Sequence, residues 1–255
     1  MPTSTKLQEQ FGDDVQVIFV ECQNTPKDVW EAVAWKNKWM GNGALWTTER
    51  PIPTKGSGLP ETAVIGIDGT VLLQGNPGGF GKKLEETVAA EVKKSKQPPA
   101  GTPKELEKAW KLFLAGDVTA ALLECDKVGG DAGSEAKAEF LRRVGVRIAR
   151  LKWLVDDGQL GKAEDLGAAL AKSLKGHELA TSVQEQLTRV ASPEMANERE
   201  ADKLYTSLAQ RAAKEKPFDA GNVRKAESIV AKFSGTRSAA RAERFVALSK
   251  VDVNK

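Results

Sequence analysis

Few residues in this chain have the type and spacing for chemistry. It carries two cysteines, Cys22 and Cys125, and one histidine, His177. Thiol exchange needs a thiolate, normally at a helix N-terminus beside a resolving cysteine. Cys22 is the one candidate. It closes an apolar run from Val15 to Val20 and so falls at the C-terminal end of a strand, where open α/β sheets hold their sites. It has no partner cysteine and adjoins Glu21, whose carboxylate is a poor neighbour for a thiolate, so a packed, inert thiol is the simpler expectation. Cys125, in Leu122-Leu123-Glu124-Cys125, reads as helix packing. The cysteines have no short spacing, and His177 has no Cys or His at ligand spacing, so neither a zinc site nor a disulfide framework follows. Gly78-Gly79-Phe80-Gly81 lacks the Lys-Ser/Thr of a phosphate loop and reads as a turn. No Ser-His-Asp set can be assembled. No metal and no cofactor is expected.

The densest structural signal is Gly58 to Gly75. Two apolar strands, Thr62 to Ile67 and Thr70 to Gln74, flank Asp68-Gly69, a strong short-range hairpin signal. Pro60 cannot donate to a ladder and marks a strand start or a cis peptide in a tight turn.

Around it the first half alternates. Thr5 to Gly12 reads as the end of a helix, and Val15 to Val20 as a strand covered on both faces. Thr25-Pro26 supplies an N-cap and a first-turn proline for a helix over Lys27 to Met40. Val29, Trp30, Val33 and Ala34 share one face of that helix. Trp35 and Trp39 form a second stripe, expected to pack beneath a loop from Gly41 to Gly58 that contains Trp46; an exposed patch for a partner is the alternative. After the hairpin, Lys82 to Lys94 is helical, with Leu84, Val88 and Val92 in register. This is an α/β order over residues 1–94.

Residues 95–103, with three prolines, form a linker. Residues 104–255 show helical patterns only. Within them Gly116-Asp117-Val118-Thr119-Ala120-Ala121, Gly158-Gln159-Leu160-Gly161-Lys162-Ala163 and Gly221-Asn222-Val223-Arg224-Lys225-Ala226 share one pattern: Gly, a small polar residue, an aliphatic, and Ala five positions after the Gly. Gly allows a left-handed helix end and Ala a close second helix. These turns, with Ala109-Trp110-Lys111-Leu112 ahead of the first, resemble those of tetratricopeptide-type repeats. Their spacing is irregular and longer than the ~34-residue period, so a degenerate repeat and a plain antiparallel bundle both remain open.

Composition excludes other classes. Residues 1–95 carry 10 Lys+Arg against 12 Asp+Glu and the remainder 28 against 23, too weak an excess to argue for nucleic acid. No apolar run approaches the ~18 residues of a membrane span, and Pro2 to Asp14 is too polar for a signal peptide.

From Met1 to about Lys94 the chain resembles the later part of a thioredoxin-fold domain, in the TlpA-like and redoxin branch of the thiol–disulfide oxidoreductases. Met1-Pro2 matches the Met-Pro that follows the C-x-x-C helix. Val15 to Cys22 is similar to the next strand, and Thr25-Pro26 to the next helix start. Leu59-Pro60-Glu61-Thr62 resembles the cis-proline loop, and Ile67-Asp68-Gly69-Thr70 the hairpin turn. The resemblance implies a substrate-binding role for Leu59, Pro60 and Glu61, with the backbone before Pro60 pairing with an extended peptide. It also implies a missing first strand and C-x-x-C, upstream of Met1, which leaves a gap in mid-sheet. Met1 is then expected to be an internal methionine of a longer protein. In a non-catalytic derivative, Val15 to Val20 would instead pair directly beside Thr62 to Ile67.

The expected protein is therefore a partial thioredoxin-like domain followed by an all-α repeat or bundle domain, related to oxidoreductases but without disulfide exchange. The alternative is a scaffold that binds a protein partner through its helices. Compartment stays open, because the family is often periplasmic or exported, and cytoplasmic placement holds if Met1 is the natural start.

Overall fold

The computed structural model describes residues 2–40, 44–53 and 58–253, without the side chains of residues 2–5 and 13. Met1, residues 41–43 and residues 54–57 of the expected loop lie outside the described residues. The chain is 66% helical, with two sheets of two strands each among the described residues. It divides into two compact units: Met1–Lys96 with Ala209–Asn222 and Ala247–Lys255, and Gln97–Leu208 with Val223–Val246.

The first unit opens with α1 (Pro2–Phe11), β1 (Phe19–Glu21) and α2 (Lys27–Lys36). The strand is shorter than the apolar run suggested. Residues 15–18 make no ladder, and the Val17 N–H donates to Gln8 Oε1 of α1 instead, at 2.8 Å. The expected second helix also stops early. Lys38 takes a positive φ of 62°, and the N–H groups of Lys38 and Trp39 bond back to the carbonyls of Trp35 and Ala34, a Schellman end. This reversal brings Trp39 onto Trp30 and stacks it on Phe19, with ring centroids 4.8 Å apart in the latter pair. Trp39 therefore joins the Trp30 face, and only Trp35, itself buried, is left of the second stripe. Thr25 does not cap α2 either. Pro26 holds the cap position, and the Thr25 hydroxyl donates to Glu21.

Within the expected loop lies a strand the sequence pattern did not reveal, β2 (Ala44–Trp46). It pairs in parallel with β1, Val20 opposite Leu45. The alternative pairing, Val15–Val20 directly beside Thr62–Ile67, is not formed. The hairpin, β3 (Thr62–Ile65) and β4 (Val71–Gly75), is a separate antiparallel sheet. Its turn is wider than a two-residue Asp68-Gly69 loop. The Gly66 N–H donates to the Thr70 carbonyl and Gly69 takes a φ of 84°, while a register shift falls at Val64/Ile65. The Thr70 hydroxyl and N–H donate to Asp68 Oδ1, which holds that carboxyl below its usual range. Helix α3 (Lys82–Ser95) covers the hairpin with Leu84, Val88 and Val92, packed with Leu73 and with Leu7 of α1. Phe19, Trp30 and Ala34 form a separate cluster.

After residues 95–103 come α4 (Glu107–Leu114), α5 (Val118–Val128), α6 (Gly130–Asp156), α7 (Leu160–Ser173) and α8 (Ala180–Ala191). Then follow α9 (Ala196–Lys214), α10 (Ala220–Lys232) and α11 (Arg237–Leu248). Two of the three repeated turns share a hydrogen-bond pattern. At Gly116 and Gly158, with φ of 86° and 72°, the glycine N–H bonds the carbonyl of Phe113 or Val155. The next N–H bonds that of Leu112 or Leu154, so the residue closing one helix also starts the next. Gly221 breaks the pattern, because it lies inside α10, whose first turn is capped two residues earlier by Asp219 Oδ1. All three alanines, Ala121, Ala163 and Ala226, are fully buried. The periodic alanine thus marks close packing in each case, and the glycine marks a helix end in only two.

The aromatic centre of the second unit joins α4 to α6. Phe113 stacks on Phe140 at 4.2 Å, Trp110 meets Phe140 edge-on at 4.7 Å, and the Arg143 guanidinium covers Trp110. Nearby, α5 and α6 touch at Gly133, where a Cβ would stand 2.5 Å from the Cys125 carbonyl oxygen. Gly145, on the same helix, faces open space. Gly133→Ala is expected to cost about 2 kcal/mol by forcing backbone apart. Gly145→Ala should gain roughly 0.5–1 kcal/mol of helix stability. Urea melts of the two variants read the contrast.

Candidate functional site

The sequence-expected site residues all lie in the first unit, on two loops. One leaves the C-terminal end of β1. Glu21 is buried there, and its Oε1 accepts from the Gln23 N–H at 2.7 Å and the Thr25 hydroxyl at 3.0 Å. The Thr47 N–H donates to the Glu21 carbonyl and Trp46 Nε1 to the Thr25 carbonyl, so the loop is tied down to β2 and the residue after it. Cys22 sits half-buried in this loop. The loop's carboxylate turns its hydrogen bonds inward, toward the chain, and α2 begins five residues beyond Cys22. The second cysteine, Cys125, is buried in α5, where loss of water pushes its thiol up. A thiol in that state is a packing group.

The other loop carries Leu59, Pro60 and Glu61 ahead of β3. The Leu59-Pro60 peptide is cis, and Leu59 is exposed. Gln74 on β4 holds this loop at two points, its Nε2 donating to the Pro53 carbonyl and to Glu61 Oε1. Gln74 had no sequence signature, since it occupies an ordinary alternating strand position. The strands beside the two loops, β1 and β3, belong to different sheets.

The most elaborate polar assembly is in the second unit and was not foreseen. Glu198 and Asp202 stand one turn apart on α9. Glu198 accepts from the N–H groups of Arg237 and Ser238 at the start of α11, at 2.7 and 2.9 Å. Asp202 Oδ2 accepts from the Gly161 N–H at the start of α7, at 3.0 Å, where Gln159 supplies no side-chain cap. Arg241 of α11 also reaches Asp202. Its Nη atoms donate to Asp157, Asp202, the Gly158 carbonyl and the Ser238 hydroxyl, and its guanidinium lies over Tyr205. Burial lifts Asp202 above the usual aspartate range, against the pull of the Gly161 N–H and Arg241. The pattern is structural chemistry: two helix N-termini that would attract anions are occupied by the protein's own carboxylates. A faint signal existed in the Gly158-Gln159 turn, where the cap position holds a poor capping residue and so needs one from elsewhere.

Among the described residues no group of three His, Cys, Asp or Glu side chains could hold a metal ion. His177 instead accepts the Leu179 N–H on Nδ1, closing the turn before α8. No described helix is long and apolar enough to cross a membrane. No family model, curated protein or solved structure matches the chain.

Arg241→Ala strips the partner from two carboxylates and is expected to cost about 3 kcal/mol. For Asp202, the folded state holds more protons than the unfolded one between pH 3.8 and the raised value. Its contribution to stability therefore falls as pH rises through that window. Chemical melts from acid to neutral pH should show this slope disappear in Asp202→Asn, which keeps an acceptor for Gly161.

Proposed function

We propose that the chain is a thioredoxin-like, redoxin-type protein that no longer exchanges disulfides and acts by binding. The order of elements in the first unit carries this reading. A helix, a strand, a helix and the short added strand β2 lead to a loop holding Leu59, Pro60 and Glu61, then to an antiparallel hairpin and a helix packed on it. Two features support the loss of exchange chemistry. The sequence contains no C-x-x-C, and its other cysteine is buried with a thiol pushed away from ionisation. The separation of β1–β2 from β3–β4 is what a sheet without its central strand would give. Under this reading Leu59, Pro60 and Glu61 remain as the wall of a peptide site.

A second reading assigns the binding role to the helical unit. It is favoured by large apolar side chains that the helices leave facing solvent, among them Val146 and Trp153.

The first reading is tested by insulin reduction with dithiothreitol as electron donor. The chain should give no turnover above the uncatalysed rate, and Cys22→Ser should change nothing. A thiol titration on the same sample should find Cys22 modified first and Cys125 only on unfolding. Turnover lost in Cys22→Ser would overturn the assignment.

A further inference from the structure

Helix α6 has two apolar faces where a surface helix should have one. Its inner face buries Phe140, Val144, Leu151, Leu154 and Val155. Its outer face carries Val146 at 60% exposure and Trp153 at 56%, with exposed Ala149 between them. The spacing, three then four residues, is that of a seam made for another helix. Gly145 beside it adds no side chain, and the space over it is open. A partner backbone can approach closely there.

The charge around this seam is one-sided. Leu141 to Val155 contains five Lys and Arg and no Asp or Glu. Arg142 and Arg143 are held by Glu139, whose carboxyl they pull down to about 2. Arg150 and Lys152, on the two sides of the seam, are exposed and make no ion pair among the described residues. Uncompensated cations flanking an apolar seam call for a partner that has apolar residues flanked by carboxylates. A phosphate backbone would leave the seam unused. An anionic bilayer would meet Asp131, Glu135 and Asp156, exposed at the two ends of the same stripe. A helix of between five and six turns, roughly 30 Å, fits between those ends.

We propose that the Val146–Ala149–Trp153 stripe of α6 docks an acidic amphipathic helix of a protein partner. This rests on the reading of the helical unit as the binding part.

The probe is a synthetic three-heptad peptide with leucine at the seam positions and glutamate beside them, titrated into the full chain by fluorescence anisotropy. Hydrogen exchange then maps the contact. Saturable binding with protection of residues 142–154 is expected. Trp153→Glu and Arg150→Glu should each weaken it by about tenfold or more. Both positions are exposed, and circular dichroism checks that the fold is kept. Arg150→Glu with Lys152→Glu should turn preference toward the lysine-flanked version of the peptide. Equal binding by polyglutamate would overturn the proposal, because the seam would be idle. So would stronger binding at these residues by single-stranded RNA or by phosphatidylserine vesicles, or no saturable binding of the peptide. Protection elsewhere in the helical unit would also overturn the stripe while sustaining the binding role of that unit. That broader reading fails if a displayed library of helical peptides yields no binder to the chain.

Discussion

The second unit depends on a pair of carboxylates one turn apart on α9. A helix N-terminus leaves N–H groups without intrahelical partners, and burying them bare costs more than an ordinary hydrogen bond returns. Glu198 satisfies the start of α11 and Asp202 that of α7, so one helix fixes the approach of two others. Two buried carboxylates together would repel each other. Arg241 offsets this at Asp202 only, pairing with it and with Asp157 while also donating to the Gly158 carbonyl just past α6. The Gly158 turn, the α7 start and the α11 start are therefore set by one connected group of charges. Three carboxylates face one guanidinium here, so Glu198 and Asp202 rest on backbone N–H donors as much as on charge pairing, and burial holds Asp202 above the usual aspartate range.

The first unit is organised differently. Buried Glu91 of α3 accepts the Ile67 N–H of the hairpin turn and pairs with exposed Lys94, and the apolar residues fall into distinct groups, one under the hairpin and one between β1 and α2. A two-stranded sheet buries little by itself, so each depends on the helix packed against it. Ile18, Leu45, Ile65, Ile67 and Val71 are left exposed on or beside these strands. Residues that a fuller sheet would cover thus face water here. This fits the proposed kinship with a fold whose central strand would lie between them.

Much of the local structure was legible in the sequence for simple reasons. The positions of α3, α5 and α7 follow from apolar periodicity, and Gly116 and Gly158 from the left-handed residue their helix ends require. Errors arose where a tertiary partner outbid the local pattern. Val15–Ile18 is as apolar as a strand, yet Gln8 takes the Val17 N–H. Gly221 carries the repeat pattern, but Asp219 caps the helix first and the glycine falls inside it. β2 is only three residues long and exists because β1 offers a parallel edge. The tether at Gln74 was invisible for a related reason: an ordinary strand amide gains its role from a loop thirteen and more residues away in the chain.

The chain's own sequence determined most of its helical segments, the hairpin strands, the three prolines of residues 95–103, the close-packing alanines and the lack of a second thiol near Cys22. Those properties depend on residue type and short spacing, which act within a turn or two of backbone. Tertiary structure alone decided which helix caps which, where Arg241 finds its acceptors, and that α6 keeps Val146 and Trp153 in water. Each of these joins residues tens of positions apart. Only the folded chain sets their distance and their access to solvent, and with those the energy of a charge or an apolar surface.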